Sequence, residues 1–300
     1  MASLKHRFEY AAVWTTMRVA RSLPGRVADW MACTLAAVAH CVLASRRRLA
    51  ADNLNQSFGD RFSEAETRDI VKRVFRHIAR TFIEEARVPR LGVEGFKAEI
   101  IGAGQDNILK AQQEGKGQIA VTAHFGNWEK MGMWAGLQGV DPAYMVYRQH
   151  NPLVNDLING LRVTMSGTII EVPNQIKDVF RVLKNNGMVF IVCDQHAAAG
   201  TLVMDFLGRP AAVARGPALF AVRYGCPILP FLLVRERYDR YVVKAGQPIY
   251  PPGSGDEEAD VKAMTASWVS FFEHWIREYP AQWMWTHNRW KLSAETSAVE

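Results

Sequence analysis

Between Ser63 and Arg87 the apolar side chains return at helical spacing. Ile70, Val74, Ile78 and Phe82 recur every fourth position, with Val71, Phe75 and Ile83 beside them. Ser63 and Glu66 stand ahead of this stripe as a capping box, with Phe62 as its hydrophobic staple, so the pattern predicts a helix over 63–87. Arg73, Arg76, Arg80 and Arg87 make another face of that helix cationic. Such a face is most often simply solvated, and it also suits a phosphate or an acidic carrier protein.

From about Gly92 the pattern changes. Short apolar runs now alternate with helical stretches. Helices are predicted over 106–113, 151–166, 175–184, 216–224 and 256–278. Strands are predicted over 119–121, 143–147, 168–172, 188–193, 228–234 and 240–244. Strands alternating with helices predict an α/β fold, a mainly parallel sheet flanked by helices on both faces. There is no internal repeat and no low-complexity linker. Residues 292–300 are small and polar and are expected to fray.

The amino-terminal pattern differs again. Val27 to Ser45 is mostly apolar but is interrupted by Asp29 and His40. A spanning helix needs roughly 20 largely apolar residues, and no small-residue cleavage site of signal-peptide type follows. Lys5, His6, Arg7, Arg18, Arg21 and Arg26 precede the segment, and Arg46, Arg47 and Arg48 follow it. Cations on both flanks mark both as cytoplasmic and disfavour a single span; they suit a helix lying on an anionic leaflet. The organisation expected is therefore an N-terminal helical membrane-associated region over 1–60, an α/β domain over 61–291, and a frayed tail over 292–300.

Composition narrows the function classes. The 300 residues are 49% hydrophobic and 22% charged, a globular balance, and the net charge of +6 favours anionic partners. No zinc-finger spacing and no aromatic-basic RNA signature occurs, which sets nucleic acid aside. Cys33, Cys41, Cys193 and Cys226 are scattered with no CxxC pair, arguing for a reducing compartment and against a zinc site or a disulfide framework. Gly102-Ala-Gly104 lacks the third glycine of a dinucleotide fingerprint.

The candidate chemistry begins at Thr122-Ala-His-Phe-Gly-Asn-Trp-Glu129, directly after the first buried strand. Five helical steps of about 100° would set His124 and Glu129 roughly 140° apart, and on a strand they would face opposite ways. They can cooperate only if the backbone turns between them. Gly126 permits an unusual φ and Asn127 is a good helix N-cap, so the segment reads as strand, turn, helix, with His124 at the strand's carboxyl end and Glu129 in the first helical turn. Open α/β sheets carry their ligands at that edge. Tyr147 and Arg148, Arg162, and Asp194 with Gln195 and His196 are expected at the same edge. Taken singly, Arg162 reads as a surface helix residue, Asp194 as a loop cap and His196 as an exposed loop side chain.

The ordered set resembles the bacterial late acyltransferases of lipid A biosynthesis, of the lauroyl or myristoyl type, within the glycerolipid acyltransferase superfamily. The resemblance runs from about Arg46 to Lys291. It rests on Arg46-Arg-Arg-Leu-Ala-Ala-Asp-Asn-Leu54, the His124-x4-Glu129 motif, Tyr147-Arg148 with Asn151-Pro152, Asp194-Gln195, Asp205-Phe-Leu-Gly-Arg-Pro-Ala211, and Pro280-Ala-Gln-Trp-Met-Trp-Thr-His-Asn-Arg-Trp290. It implies direct transfer of a fatty acyl chain from acyl carrier protein to a hydroxyl of a membrane glycolipid, with no cofactor and no metal. It also implies a site at the cytoplasmic face of the bacterial inner membrane. His124 and Glu129 match the catalytic positions, and Arg162 and Asp194 match two further functional ones. Asn127, Tyr147, Arg148 and Gln195 are the expected substrate contacts. The Phe-Pro-Glu-Gly segment of glycerol-phosphate acyltransferases is absent. Gln195-His-Ala-Ala-Ala-Gly200 departs from the histidine-aspartate-tyrosine run of lauroyl enzymes.

In the mechanism expected, His124 is the general base and Glu129 orients its ring. Arg162 meets the developing oxyanion, Arg148 holds a phosphate, and Asp194 positions Arg162 or another basic group. Neither Ser166 nor Cys193 sits in a nucleophile motif, so no covalent intermediate is expected. The rivals are transfer to another envelope lipid such as a phosphatidylinositol mannoside or an aminolipid, a non-catalytic lipid-binding protein, and a metal hydrolase using His124, Glu129 and His196. Trp283, Trp285 and Trp290 either form an interfacial belt or pack the carboxyl-terminal helix onto the sheet, the second being favoured.

Overall fold

Continuous apolar runs become the central strands, buried on both faces as parallel strands under helices must be. The computed structural model describes residues 3–196 and 201–291. Three helices, α1 (Leu4–Ser22), α2 (Gly25–Val42) and α3 (Ala44–Phe58), lead into the long α4 (Glu64–Ala98). Then follow β1 (Ile100–Gly102), α5 (Gln105–Gln113), β2 (Gln118–Thr122), α6 (Trp128–Gly136), β3 (Pro142–Tyr147), α7 (Pro152–Arg162), β4 (Thr168–Val172), α8 (Ile176–Lys184) and β5 (Met188–Val192). After the hairpin β6 (Thr201–Phe206) and β7 (Arg209–Ala214) come α9 (Gly216–Tyr224), β8 (Ile228–Arg237), β9 (Arg240–Ala245) and α10 (Glu257–Glu278). The expected tail over 292–300, and Ala197 to Gly200, lie outside the described residues.

Among the described residues the main sheet has seven strands in the order β1-β9-β8-β2-β5-β3-β4. β9 runs antiparallel to β8 and every other pairing is parallel. Alternate residues of β2 and β5 feed different cores. Ile119, Val121, Val189 and Ile191 pack with α8, α9 and α10, while Ala120, Met188 and Phe190 pack with α5 and α6 through Ile108, Met131 and Trp134. The fold is thus the α/β sheet flanked by helices that the pattern predicts.

The capping box forms as expected: the Ser63 side chain accepts from Glu66 N, and Glu66 Oε2 accepts from Ser63 N at 2.8 Å. The helix runs on past Arg87 to Ala98, crossing a break at Gly92, where φ is 65° and ψ 178°. The solvated reading of its cationic face fails at Arg80 and Arg87, because α1 and α2 cover them. Arg80 makes a bidentate pair with Asp29 of α2 at 2.6 and 2.9 Å, and buried Arg87 donates to the Ala20 carbonyl at 2.6 Å. Arg73 and Arg76 stay exposed.

α2 buries Ala28, Ala32 and Ala36 and leaves Trp30, Val38 and Val42 in solvent. Leu4 and Phe8 of α1 are exposed as well. No single helix among the described residues is long and apolar enough to cross a membrane; only the pair Gly25–Val42 and Ala44–Arg61, bent by 91°, has the length and composition together.

Candidate active site

Register decides the centre of the site. β2 and β5 are parallel neighbours with Thr122 paired to Val192. His124 and Asp194 each stand two residues beyond that last pair, so the sheet delivers them side by side. His124 Nδ1 lies 2.7 Å from Asp194 Oδ1. Asp194 is 1% exposed. Its other oxygen accepts the Trp283 indole N–H at 2.7 Å. Burial pushes the Asp194 acid up, but the adjoining imidazole and these hydrogen bonds outweigh it and hold the carboxyl below its ordinary range. An ionised carboxylate only accepts, so His124 carries its proton on Nδ1 and presents Nε2 as the basic nitrogen.

The turn after His124 needs its glycine. Gly126 has φ 57°, and a Cβ there would lie 1.7 Å from the Leu233 carbonyl oxygen. Asn127 then caps α6, its side chain accepting from Lys130 N at 3.0 Å and donating to Glu84 Oε2 at 2.7 Å. Asn127 is fully buried, so the expected substrate contact is replaced by a structural one.

Glu129 follows in the first turn of α6 and faces α7. Arg162 grips it with Nε to Oε2 at 2.9 Å and Nη2 to Oε1 at 2.7 Å, and Nη1 donates to Asn159 Oδ1 at 3.1 Å. α7 ends at Arg162 rather than running to Ser166 as predicted, because the chain turns at once toward Gly167 at φ 97°. Burial raises the Glu129 acid, and Arg162 by charge and hydrogen bonding, with smaller effects of His124 and Trp128, brings it below the usual range. Trp128 joins the two halves: its ring lies 5.1 Å from the His124 ring, and its N–H donates to Glu129 Oε1 at 3.1 Å.

The pairing is therefore crossed relative to the sequence reading. Asp194, not Glu129, meets the histidine, so the basic group beside Asp194 is His124 and not Arg162, while Glu129 holds Arg162. The sequence carries no strand order, and the neighbourhood of β2 and β5 is what assigns the partners. His124, Glu129 and Arg162 line one cavity of ≈ 1090 Å³ together with Tyr147 and Gln195. Gln195 also reaches Met284 Sδ at 3.5 Å. Arg148 is not among the lining residues and is exposed, one residue beyond the end of β3. His196 lines the rim, its backbone N–H on His287 Nε2 at 3.3 Å.

The walls are mostly apolar. Gly132, Tyr144 and Phe190 form one side, and Val172, Ile176 and Phe220 the other. The tail tryptophans pack inward: Trp283 and Trp285 are buried, and Trp290 donates to the Phe206 carbonyl at 3.1 Å. The pattern did not single out Trp283, Trp128 and the Glu84-Glu85 pair of α4 as parts of the site. The unusual placing of two acids within an apolar stripe was the signal available. An imidazole with an oriented free nitrogen, a fixed guanidinium and a large apolar cavity can take a proton from a hydroxyl beside a long acyl chain.

A model of the bacterial lipid A biosynthesis acyltransferase family matches residues 3–292. The lipid A biosynthesis lauroyltransferase of Escherichia coli is 26% identical over 280 residues, 91% of this chain and 88% of that protein. The lipid A biosynthesis palmitoleoyltransferase of the same organism is 24% identical over 281 residues, 90% of this chain and 86% of that protein. The phosphatidylinositol mannoside acyltransferase of Mycolicibacterium smegmatis is 24% identical over 230 residues, 74% of this chain and 72% of that protein.

Proposed function

The chain belongs to the bacterial lipid A biosynthesis acyltransferase family, and from that membership we propose that it moves a fatty acyl chain from acyl carrier protein to a hydroxyl of a lipid A precursor at the cytoplasmic face of the inner membrane. The observation that carries this reading is His124, oriented by Asp194, standing with the Glu129–Arg162 pair on one apolar cavity.

In the proposed reaction His124 Nε2 takes the acceptor's hydroxyl proton as its oxygen attacks the thioester carbonyl carbon. Asp194 stabilises the imidazolium that forms. An Arg162 N–H not used by Glu129 or Asn159 meets the developing oxyanion. The carbon–sulfur bond then breaks, and the leaving thiolate takes the proton back from His124. A placed base contributes about 10²- to 10⁴-fold, and an oxyanion donor about 10²- to 10³-fold. The apolar walls would hold the acyl chain out of water.

The N-terminal region is proposed as the leaflet contact. Exposed Leu4, Phe8, Trp30, Val38 and Val42 form its apolar surface, among the cations that precede α2. α1 also leans on the loop that rims the cavity. His6 packs edge-on to His150 at 5.2 Å, and Asn151 donates to the His6 carbonyl at 2.9 Å. Tyr147 at the end of β3 and Gln149 of that loop line the cavity, so a membrane under α1 would lie close to the mouth.

The mycobacterial similarity supports a second acceptor, a phosphatidylinositol mannoside. Purified protein with acyl carrier protein thioester, offered each acceptor separately and read by mass spectrometry, should add one acyl mass to the lipid A precursor, and His124→Ala should not. Transfer to the mannoside alone would favour the second acceptor. Transfer to neither would end the reading.

A further inference from the structure

Helix α4 presents Thr81, Glu84 and Glu85 at i, i+3 and i+4, one face of a helix. That face lies under the turn that follows His124. Thr81 Oγ1 donates to the Gly126 carbonyl at 3.0 Å, and Glu84 accepts from Asn127 at 2.7 Å and pairs with Arg235. Glu85, the third member, is fully buried, and neither carboxyl oxygen has a hydrogen-bond partner among the described residues. An unpartnered buried acid is costly to keep, and more so as a charge. The charged groups that face it are Glu129 from α6 and Arg162 from α7, the pair already assigned to the site.

We propose that Glu85 is a positioning residue: from α4 it fills the space under the Glu129–Arg162 pair and fixes where the guanidinium points. It acts as the neutral acid. Burial first, and the negative charge of Glu129 next, push its acid well above the ordinary range, while Arg162 pulls it back by less. Neutral Glu85 leaves Arg162 with a single carboxylate partner. An ionised Glu85 would compete for the guanidinium and draw it off Glu129. The inference takes its rate readout from the acyl-transfer reading, while its other readouts do not depend on it.

The test compares wild type, Glu85→Gln and Glu85→Ala. Gln keeps both the shape and a fixed neutrality; Ala is also neutral but removes the bulk and the polar group. Glu85→Gln should keep kcat within about threefold, and Glu85→Ala should lose about 10²-fold in kcat with KM little changed, the effect of misplacing a catalytic group. Hydrogen exchange at Arg162 Nε, read by NMR without turnover, should be slow in wild type and Glu85→Gln and fast in Glu85→Ala. Unfolding free energies against pH give the protonation state. An acid raised in the fold contributes stability that is lost as pH climbs from the ordinary glutamic range toward the folded pKa, so Glu85→Gln should gain on wild type as pH rises. Glu85→Gln as slow as Glu85→Ala, with no growing stability difference, would overturn the neutral acid. Unchanged kcat and unchanged Arg162 exchange in Glu85→Ala would overturn the positioning role. If Glu85→Ala does not fold, Glu85→Thr, which is also neutral and shorter than glutamate, supplies the loss of bulk. A wild type that transfers nothing sinks the acyl-transfer reading, and the exchange and pH arms still decide Glu85.

Discussion

His124 owes its tautomer to Asp194, and that dependence can be measured. Asp194→Asn keeps the shape but can donate where the carboxylate accepted, which favours the wrong nitrogen for the proton. Turnover should fall on the order of 10³- to 10⁴-fold with substrate binding retained; near-normal turnover would remove Asp194 from the mechanism. The same carboxyl carries a stability signature. Its acid is lowered in the fold, so its contribution is complete above the ordinary aspartate range and drains away as pH falls below it. Thermal unfolding from pH 5 down to pH 2 should show wild type losing ground that Asp194→Asn never held. Arg162→Lys tests the other half. A point charge cannot reproduce the bidentate grip on Glu129, and kcat should drop about 10²-fold, more than any rise in KM. The residue types and their approach to one edge were legible from the sequence. Their partners were not, because Glu129 is five positions from His124 and Asp194 is seventy, while contact follows strand register instead.

The elements best read from the sequence were those whose burial is continuous. Ile119 to Val121 of β2, β5 and the first seven residues of β8 are apolar runs, nearly all buried, and tertiary packing only reinforces what local pattern says. The hairpin of β6 and β7 escaped notice. Its strands carry Asp205, Arg209 and Pro210 in mixed order, and its turn depends on Leu207 and Gly208 both taking positive φ, 57° and 80°. The break in α4 escaped too, since Gly92 inside a helical pattern marks a kink only once the neighbours that require it are known. The turn from β2 to α6 was read correctly from Gly126 and Asn127, and it is the element the site depends on most. Gly126→Ala should be severely destabilising. A left-handed φ costs a non-glycine residue roughly 1–2 kcal/mol, and the added methyl meets the Leu233 carbonyl, so β8 must shift as well. Chemical denaturation should show a loss of several kcal/mol, well beyond the ordinary mutational effect of about 1 kcal/mol. A loss within about 0.5 kcal/mol would mean that the turn is not under this constraint.

At the scale of the whole molecule the N-terminal helices do two things at once. Their inner faces are folded onto the body: Ala28, Ala32 and Ala36 are buried, Asp29 pairs with Arg80, and Arg87 reaches the Ala20 carbonyl. Their outer faces leave Phe8 at 76% and Trp30 at 69% exposed. A soluble partner surface would hide such rings against side chains, whereas a leaflet takes them among acyl tails while the flanking cations meet phosphates. The double variant Phe8→Asp, Trp30→Asp changes only the outer face. Each large apolar side chain is worth about 1.5–3 kcal/mol when taken out of water, and two together exceed a tenfold change in partitioning, about 1.4 kcal/mol. Sedimentation with anionic phospholipid vesicles should show at least that loss, while circular dichroism and thermal unfolding stay near wild type. Transfer to an acceptor dispersed in detergent should persist, because the cavity and the His124, Asp194, Glu129 and Arg162 side chains are untouched, and transfer to acceptor embedded in vesicles should fall in step with binding. Undiminished sedimentation would assign membrane contact to another surface. Loss of transfer in detergent as well would mean that α1, through His6 and Asn151, shapes the cavity rim instead of merely bringing it to the lipid.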